Sequence, residues 1–150
     1  MSGQLDPIQL MKTINELEYK ISALATIQTG GIWTDWTPTV TASGSMTIAS
    51  LSVQSARYSV IGRICFINYW VQFTTGGTAD TTVYITAPSG LTIKDVYTNF
   101  TTNIVNGGDL IPGLGYRGSS TQFAGLIASA GNWGLGTLRS VLMTGFYEIA

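Results

Sequence analysis

The hydrophobic period of the chain changes once, at Thr29-Gly30-Gly31, and this change limits the fold more than any other feature. Before it, Leu10, Ile14, Leu17, Ile21 and Leu24 recur at alternating spacings of four and three. That is a heptad, with Ile14 and Ile21 at a and Leu10, Leu17 and Leu24 at d. Asp6 is placed to cap the helix and Pro7 to occupy its first position, where a missing N–H costs nothing. The spacing predicts a helix over 6–28, about 34 Å long at about 1.5 Å per residue. Lys12, Asn15, Glu16, Tyr19 and Ser22 fall mostly on the other faces, so the apolar seam is narrow. Self-association along that seam is the expected reading, against packing of the helix on its own domain. Ile at a with Leu at d leans towards two parallel strands.

After Gly31 the apolar residues alternate or run in short blocks between glycines and prolines, which predicts strands. The segments 64–73 (ICFINYWVQF) and 81–87 (TTVYITA) are the clearest, joined by the glycine-containing loop 74–80. Residues 99–105, 121–129 and 138–149 add further strand-like runs, and 107–120 (GGDLIPGLGYRGSS) reads as a long surface loop. The expectation is a mainly β chain: a coiled-coil stalk over 1–31, then an antiparallel, jelly-roll-like β-sandwich knob over 32–150.

Parity along 64–73 separates two faces. Cys65, Ile67, Tyr69, Val71 and Phe73 share a wholly apolar one that suits a core. Ile64, Phe66 and Trp70 share the other with Asn68 and Gln72, a mixture better suited to a subunit interface than to open solvent. Phe66, Asn68 and Trp70 are therefore the expected contacts between knobs. Trp33 and Trp36, just past the helix, point to opposite faces of an extended segment, one towards the stalk and one into the knob.

Only 10% of the 150 residues are charged and the net charge is -1, against about 25% in an ordinary soluble chain. So few charges imply surface hidden in an assembly. Seven scattered basic residues build no field for nucleic acid. No apolar run approaches the roughly 20 residues that span a bilayer, and the N-terminus lacks the pattern of an export signal. Neither a nucleic-acid partner nor membrane insertion is expected.

Chemistry is scarce. The sequence has no histidine and one cysteine, which removes the commonest general base and the possibility of an intrachain disulfide. Cys65 reads as a buried thiol. Asp35, Asp80, Asp95, Asp109 and Glu148 are widely spaced and suggest neither a catalytic pair nor a metal site, and no Lys-Ser/Thr follows the glycines of 107–120 to make a phosphate loop. No catalytic residue, metal or cofactor is expected. Trp133, beside Asn132 and between glycines, is the one sugar-stacking candidate, although burial is the favoured reading for it.

The sequence WTDWTPTVTASGS after a short helix, followed by ARYSVIGRICFINYWVQFTTGGTADTTVYITAP, resembles a family of small bacteriophage virion proteins. Tyr58, the turn at Ile61-Gly62-Arg63, the aromatic strand, the glycine-rich loop and a strand ending at Pro88 follow in that family's order. LMTGFYEIA resembles its closing strand. The resemblance implies a non-enzymatic homotrimer located in the virion and assembled in the host cytoplasm. Its partners would be itself, other proteins of the tail, baseplate or capsid, and a host-surface glycan. A short tail or baseplate fibre is the first expectation, and a capsid head fibre or decoration the alternative. With strands alternating in direction, the loops at 41–45, 61–63 and 88–95 are expected far from the helix and those at 74–80 and 107–113 near it.

Overall fold

A computed structural model describes residues 6–28, 31–94, 99–129 and 131–150. The chain divides into two compact units, Met1–Ile32 and Trp33–Ala150. Among its described residues the first unit holds the helix α1 (Pro7–Gln28), of 22 residues. Its start follows the expectation: Asp6 Oδ1 accepts a hydrogen bond from the Ile8 N–H at 3.1 Å, and Leu10 N bonds Asp6 O at 3.0 Å. The capping side chain thus satisfies one of the donors that a helix start leaves open.

The second unit is built from strands: β1 (Thr34–Asp35), β2 (Val40–Ala42), β3 (Met46–Ile61), β4 (Ile64–Gly77), β5 (Thr82–Thr86), β6 (Asn99–Asn106), β7 (Asp109–Ser119), β8 (Gln122–Ile127) and β9 (Gly136–Glu148). The chain is mainly β. Hydrogen bonds join all nine strands into one antiparallel sheet in the order β1-β3-β4-β9-β6-β7-β8-β5-β2. The two facing layers expected as a sandwich are therefore halves of a single curled sheet. The two edge strands explain the curl, because both belong to the segment 34–42. Thr34 and Asp35 pair with Tyr58 and Arg57 of β3, and Trp36 N bonds Ala56 O at 3.0 Å. Past Pro38 the same segment has changed partner: Thr86 N bonds Thr39 O at 3.0 Å, and Val40–Ala42 pair with Ile85–Val83 of β5.

Inside the curl lies an aromatic chain of contacts. Trp36 meets Tyr58 and Tyr69 edge-on with centroids 6.1 and 5.9 Å apart. Tyr69 stacks on Phe123 at 6.2 Å, and Phe123 touches Tyr147 and Phe100 at 5.5 and 5.2 Å. Tyr69 lies on β4 and Phe123 on β8, four places along the sheet, so these rings meet only because the sheet folds over. The core face expected of the long strand is seen: Cys65, Ile67, Tyr69, Val71 and Phe73 are all buried. Trp133 is also buried, against Phe73 at 5.6 Å, and presents no platform to a sugar.

Two expectations are corrected. Residues 109–119 form a strand and not a loop. Its inward positions include Gly113 and Gly115, and a Cβ on Gly115 would collide with the Thr102 hydroxyl and the Met143 methyl. Missing side chains thus let β7 lie close over its neighbours. The placement of the loops also changes, because 46–61 is one 16-residue strand, irregular between Ala49/Ser52 and Val53/Ser55, whereas loops 41–45 and 61–63 at a common end would need two. One turn fewer inverts the direction of every later strand. The turns at 61–64 and 88–91 and the C-terminus consequently share the end where the chain comes in at Trp33. There Ile149 N bonds Arg63 O and Lys94 N bonds Glu148 O. The turns at 43–45, 77–81, 107–108 and 131–135 share the opposite end, tied by Trp133 N to Asp80 O at 2.8 Å and Gly134 N to Asn106 Oδ1 at 2.9 Å. Residue 95 of the expected 88–95 loop lies outside the described residues.

Two substitutions test this packing by urea denaturation. Phe123→Ala, which empties the centre of the ring cluster, should cost about 3–5 kcal/mol. Gly115→Val, which overpacks β7 against β6, should cost about 1–3 kcal/mol, whereas a loop at 109–119 would tolerate it.

Candidate functional site

Charge is nearly absent from the faces of the knob and collects at its edges and ends. Asp35 and Arg57 pair at 3.3 Å along the β1 edge. Glu148 takes Lys94 at 2.7 Å and Arg63 at 3.5 Å at the end where the chain comes in. At the opposite end the Arg139 guanidinium is buried and held by backbone carbonyls of Gly134, Leu135 and Thr137 at 2.7 to 2.9 Å. Asp80 sits at that end too, where a Cβ on Gly44, at φ 57°, would strike its carboxylate.

The outer face of β4-β9-β6-β7 is built by register. Asn68, Thr144, Thr101 and Leu114 lie in one row, Trp70, Leu142, Asn103 and Pro112 in the next, and Gln72, Ser140, Val105 and Leu110 in a third. Phe66 and Phe146 begin a fourth row, 5.8 Å apart, and Asn68 Nδ2 donates to Thr144 Oγ1 at 3.0 Å. None of these residues is charged. Trp70 is 40% exposed, Phe146 40%, Leu114 55% and Leu110 67%, so the apolar members stand open. Strand spacing makes the face roughly 500 Å². Around Trp70 it forms a groove of about 330 Å³ lined also by the buried Arg139, and its rim includes Ser50 and Leu138. These are the two non-glycine residues with left-handed backbones among those described, at φ 49° and 58°. A branched or bulky side chain is strained there, and strain of this kind gathers at functional surfaces.

Phe66, Asn68 and Trp70 are thus brought together on one open face. The sequence reading missed Leu110, Leu114, Leu142 and Phe146 beside them. The alternation of Leu110, Pro112, Leu114 and Tyr116 with Gly113 and Gly115 was the available signal, hidden by the glycines and proline. In the first unit Leu10, Ile14, Leu17 and Ile21 form an open stripe, between 44% and 63% exposed, flanked by the exposed Met11. The side chain of Leu24 lies outside the described residues.

Among the described residues no group of three or more of His, Cys, Asp and Glu comes together to hold a metal ion, and no described helix is long and apolar enough to cross a membrane. Asp95 lies outside the described residues. Burial pushes the Cys65 thiol up, as expected of an inert one, and raises the Tyr69 and Tyr147 phenols as well. The Thr81 backbone N–H, at 2.6 Å, and the Ser43 hydroxyl hold the Asp80 carboxyl below its ordinary range, and the Lys94 ammonium does the same for Glu148. Comparison with models of known protein families, with curated proteins and with solved structures gives no match.

These shifts fix the pH response of the fold. Depressed carboxyls contribute stability above their ordinary pKa of about 4 and lose it as pH falls through the lower folded values. Raised phenols and a raised thiol contribute fully below their ordinary values of about 8.5–10 and lose that contribution as pH climbs past them. With no histidine, the melting temperature should be flat from about pH 5 to 8. It should fall on both sides, and Asp80→Asn should shrink the acid-side fall in a calorimetric pH series.

Proposed function

We propose that the chain is a non-enzymatic structural subunit that assembles with copies of itself through a helical stalk and a knob face whose exposed side chains are uncharged. The observation that carries this reading is the pair of uncovered surfaces, the Leu10-Ile14-Leu17-Ile21 stripe and the rows around Trp70. Leaving apolar side chains open to water is unfavourable by about 25 cal/mol per Å², and partners of the same sequence remove both at once. A surface that meets its own copy meets its own charge, so a neutral face suits self-association. At roughly 500 Å² the knob face is below the about 800 Å² per partner of a stable interface. The stalk supplies the remainder as a coiled coil with Ile14 and Ile21 at a and Leu10, Leu17 and Leu24 at d.

The resemblance of 33–90 and the C-terminal ten residues to small phage virion proteins gives this assembly its setting. The homotrimer is a short tail or baseplate fibre attached to other virion proteins, with a knob turned to the host surface. Immunogold labelling of virions tests the setting: label on the tail supports the fibre, and label on the head replaces it with a capsid decoration.

Assembly itself is tested by sedimentation. Replacing Ile14, Leu17 and Ile21 together with Asp buries like charges in the seam and should give monomers with an unchanged knob melting transition. Trp70→Lys should raise the dissociation constant roughly tenfold or more and leave the knob fold intact, because the ring is already 40% exposed. A full oligomer in both variants would overturn the reading.

A further inference from the structure

Leu138 stands at one end of the face around Trp70, where the ladder between β4 and β9 is irregular. Phe73 pairs with Arg139 and Thr75 with Gly136, so Thr137 and Leu138 together oppose Thr74 alone. An extra residue of this kind is a β-bulge, which re-aims a side chain out of the regular alternation. On the other side of β4 the register slips at the same level, between Ala49/Ser52. The two irregularities contain Leu138 and Ser50, the left-handed non-glycine residues among those described, and both line the groove at Trp70.

The backbone at Leu138 is fixed in place. Its carbonyl accepts from Gly107 N at 3.1 Å and from Arg139 Nη1 at 3.3 Å, and the same Nη1 donates to Thr137 O at 2.7 Å. Arg139 Nε and Nη2 reach Gly134 O and Leu135 O at 2.9 and 2.8 Å. A buried guanidinium thus ties the carbonyls of 134–138 together. Held in this way, Leu138 keeps φ 58° and is 67% exposed. Glycine would take that backbone at no steric cost, as Gly136 does at φ 106°. Leucine adds strain and open apolar surface instead, and at 67% exposure the knob itself offsets little of either.

We infer that Leu138 is the anchor of the contact between knobs and seats in the groove at Trp70 of a second copy. The inference rests on the self-association proposed above and names the residue that makes it. A projection and a groove side by side on one face are self-complementary, because copies that meet through that face can each receive the other's rim. The groove offers Trp70, Leu110 and Leu142 to an apolar side chain, and Arg139, the charged residue that lines it, is buried. Trp70 supplies the aromatic wall that hot-spot pockets favour. A bulge fixed in advance loses little freedom on binding, and the heptad of α1 gathers knobs at high effective concentration.

Leu138→Gly in the full chain tests this, because it removes the side chain and the left-handed strain together. The dissociation constant from sedimentation should rise about tenfold or more. The knob melting transition, compared at a dilution where both chains are monomers, should be unchanged or higher. A residue with only a structural role would lower the melting transition and leave assembly alone. Leu138→Asn, which tolerates the same backbone but is polar, should weaken assembly likewise. Chains with Leu138→Cys, mixed with chains with Leu110→Cys and oxidised, should cross-link to each other in preference to themselves, since a disulfide needs Cα atoms within about 7 Å. The native Cys65 is buried and stays out of the reaction. Unchanged assembly in both Leu138 variants, or cross-links absent or formed mainly between like variants, would overturn the anchor. If Trp70→Lys still dissociates the oligomer, only the anchor fails, whereas a native chain that sediments as a monomer removes the self-association with it.

Discussion

The knob depends on one segment, 34–42, holding both edges of a nine-stranded sheet. An open sheet of this width would present two ladders of unpaired backbone groups, which invite pairing with other chains. Here β1 and β2 cover part of each, and the indole of Trp36 spans the join, packed on Tyr58 and Tyr69 while its N–H bonds Thr86 O. Because that contact brings β3 and β5 together, it also encloses Phe123 and Tyr147.

The two surfaces invoked for assembly arise from opposite uses of side-chain volume. Along α1, leucine and isoleucine project from the helix and stand open. On β7, Gly113 and Gly115 remove volume from the inside, so the strand settles onto Thr102, Ile104 and Met143. Its outward Leu110 and Leu114 then join the uncharged rows of β6, β9 and β4. Few charges in the sequence and an open apolar face in the structure are one fact seen twice.

Local pattern made much of this legible. The heptad with Asp6 and Pro7 located the helix, because capping and i, i+4 spacing act within a few residues. Period-two alternation over 64–73 identified the buried face, since Cβ direction in a strand depends only on parity. It also found one of the four strands of the candidate face, in Phe66, Asn68 and Trp70. The strand at 109–119 was hidden because glycine and proline are read as turn formers by their own conformational preferences, and here packing against Thr102 and Met143 overrides them.

What the sequence determined alone is the division into a helix and a β-rich remainder, the burial of Cys65 and the poverty of charge. Only the tertiary structure decided that 46–61 is one bent strand, and hence which turns share an end. It alone decided that both sheet edges end in one segment and that Leu110, Leu142 and Trp70 meet on one face. Those outcomes rest on hydrogen bonds and ring contacts between residues tens of positions apart. No local preference encodes such pairings, because their energy appears only when the sheet closes.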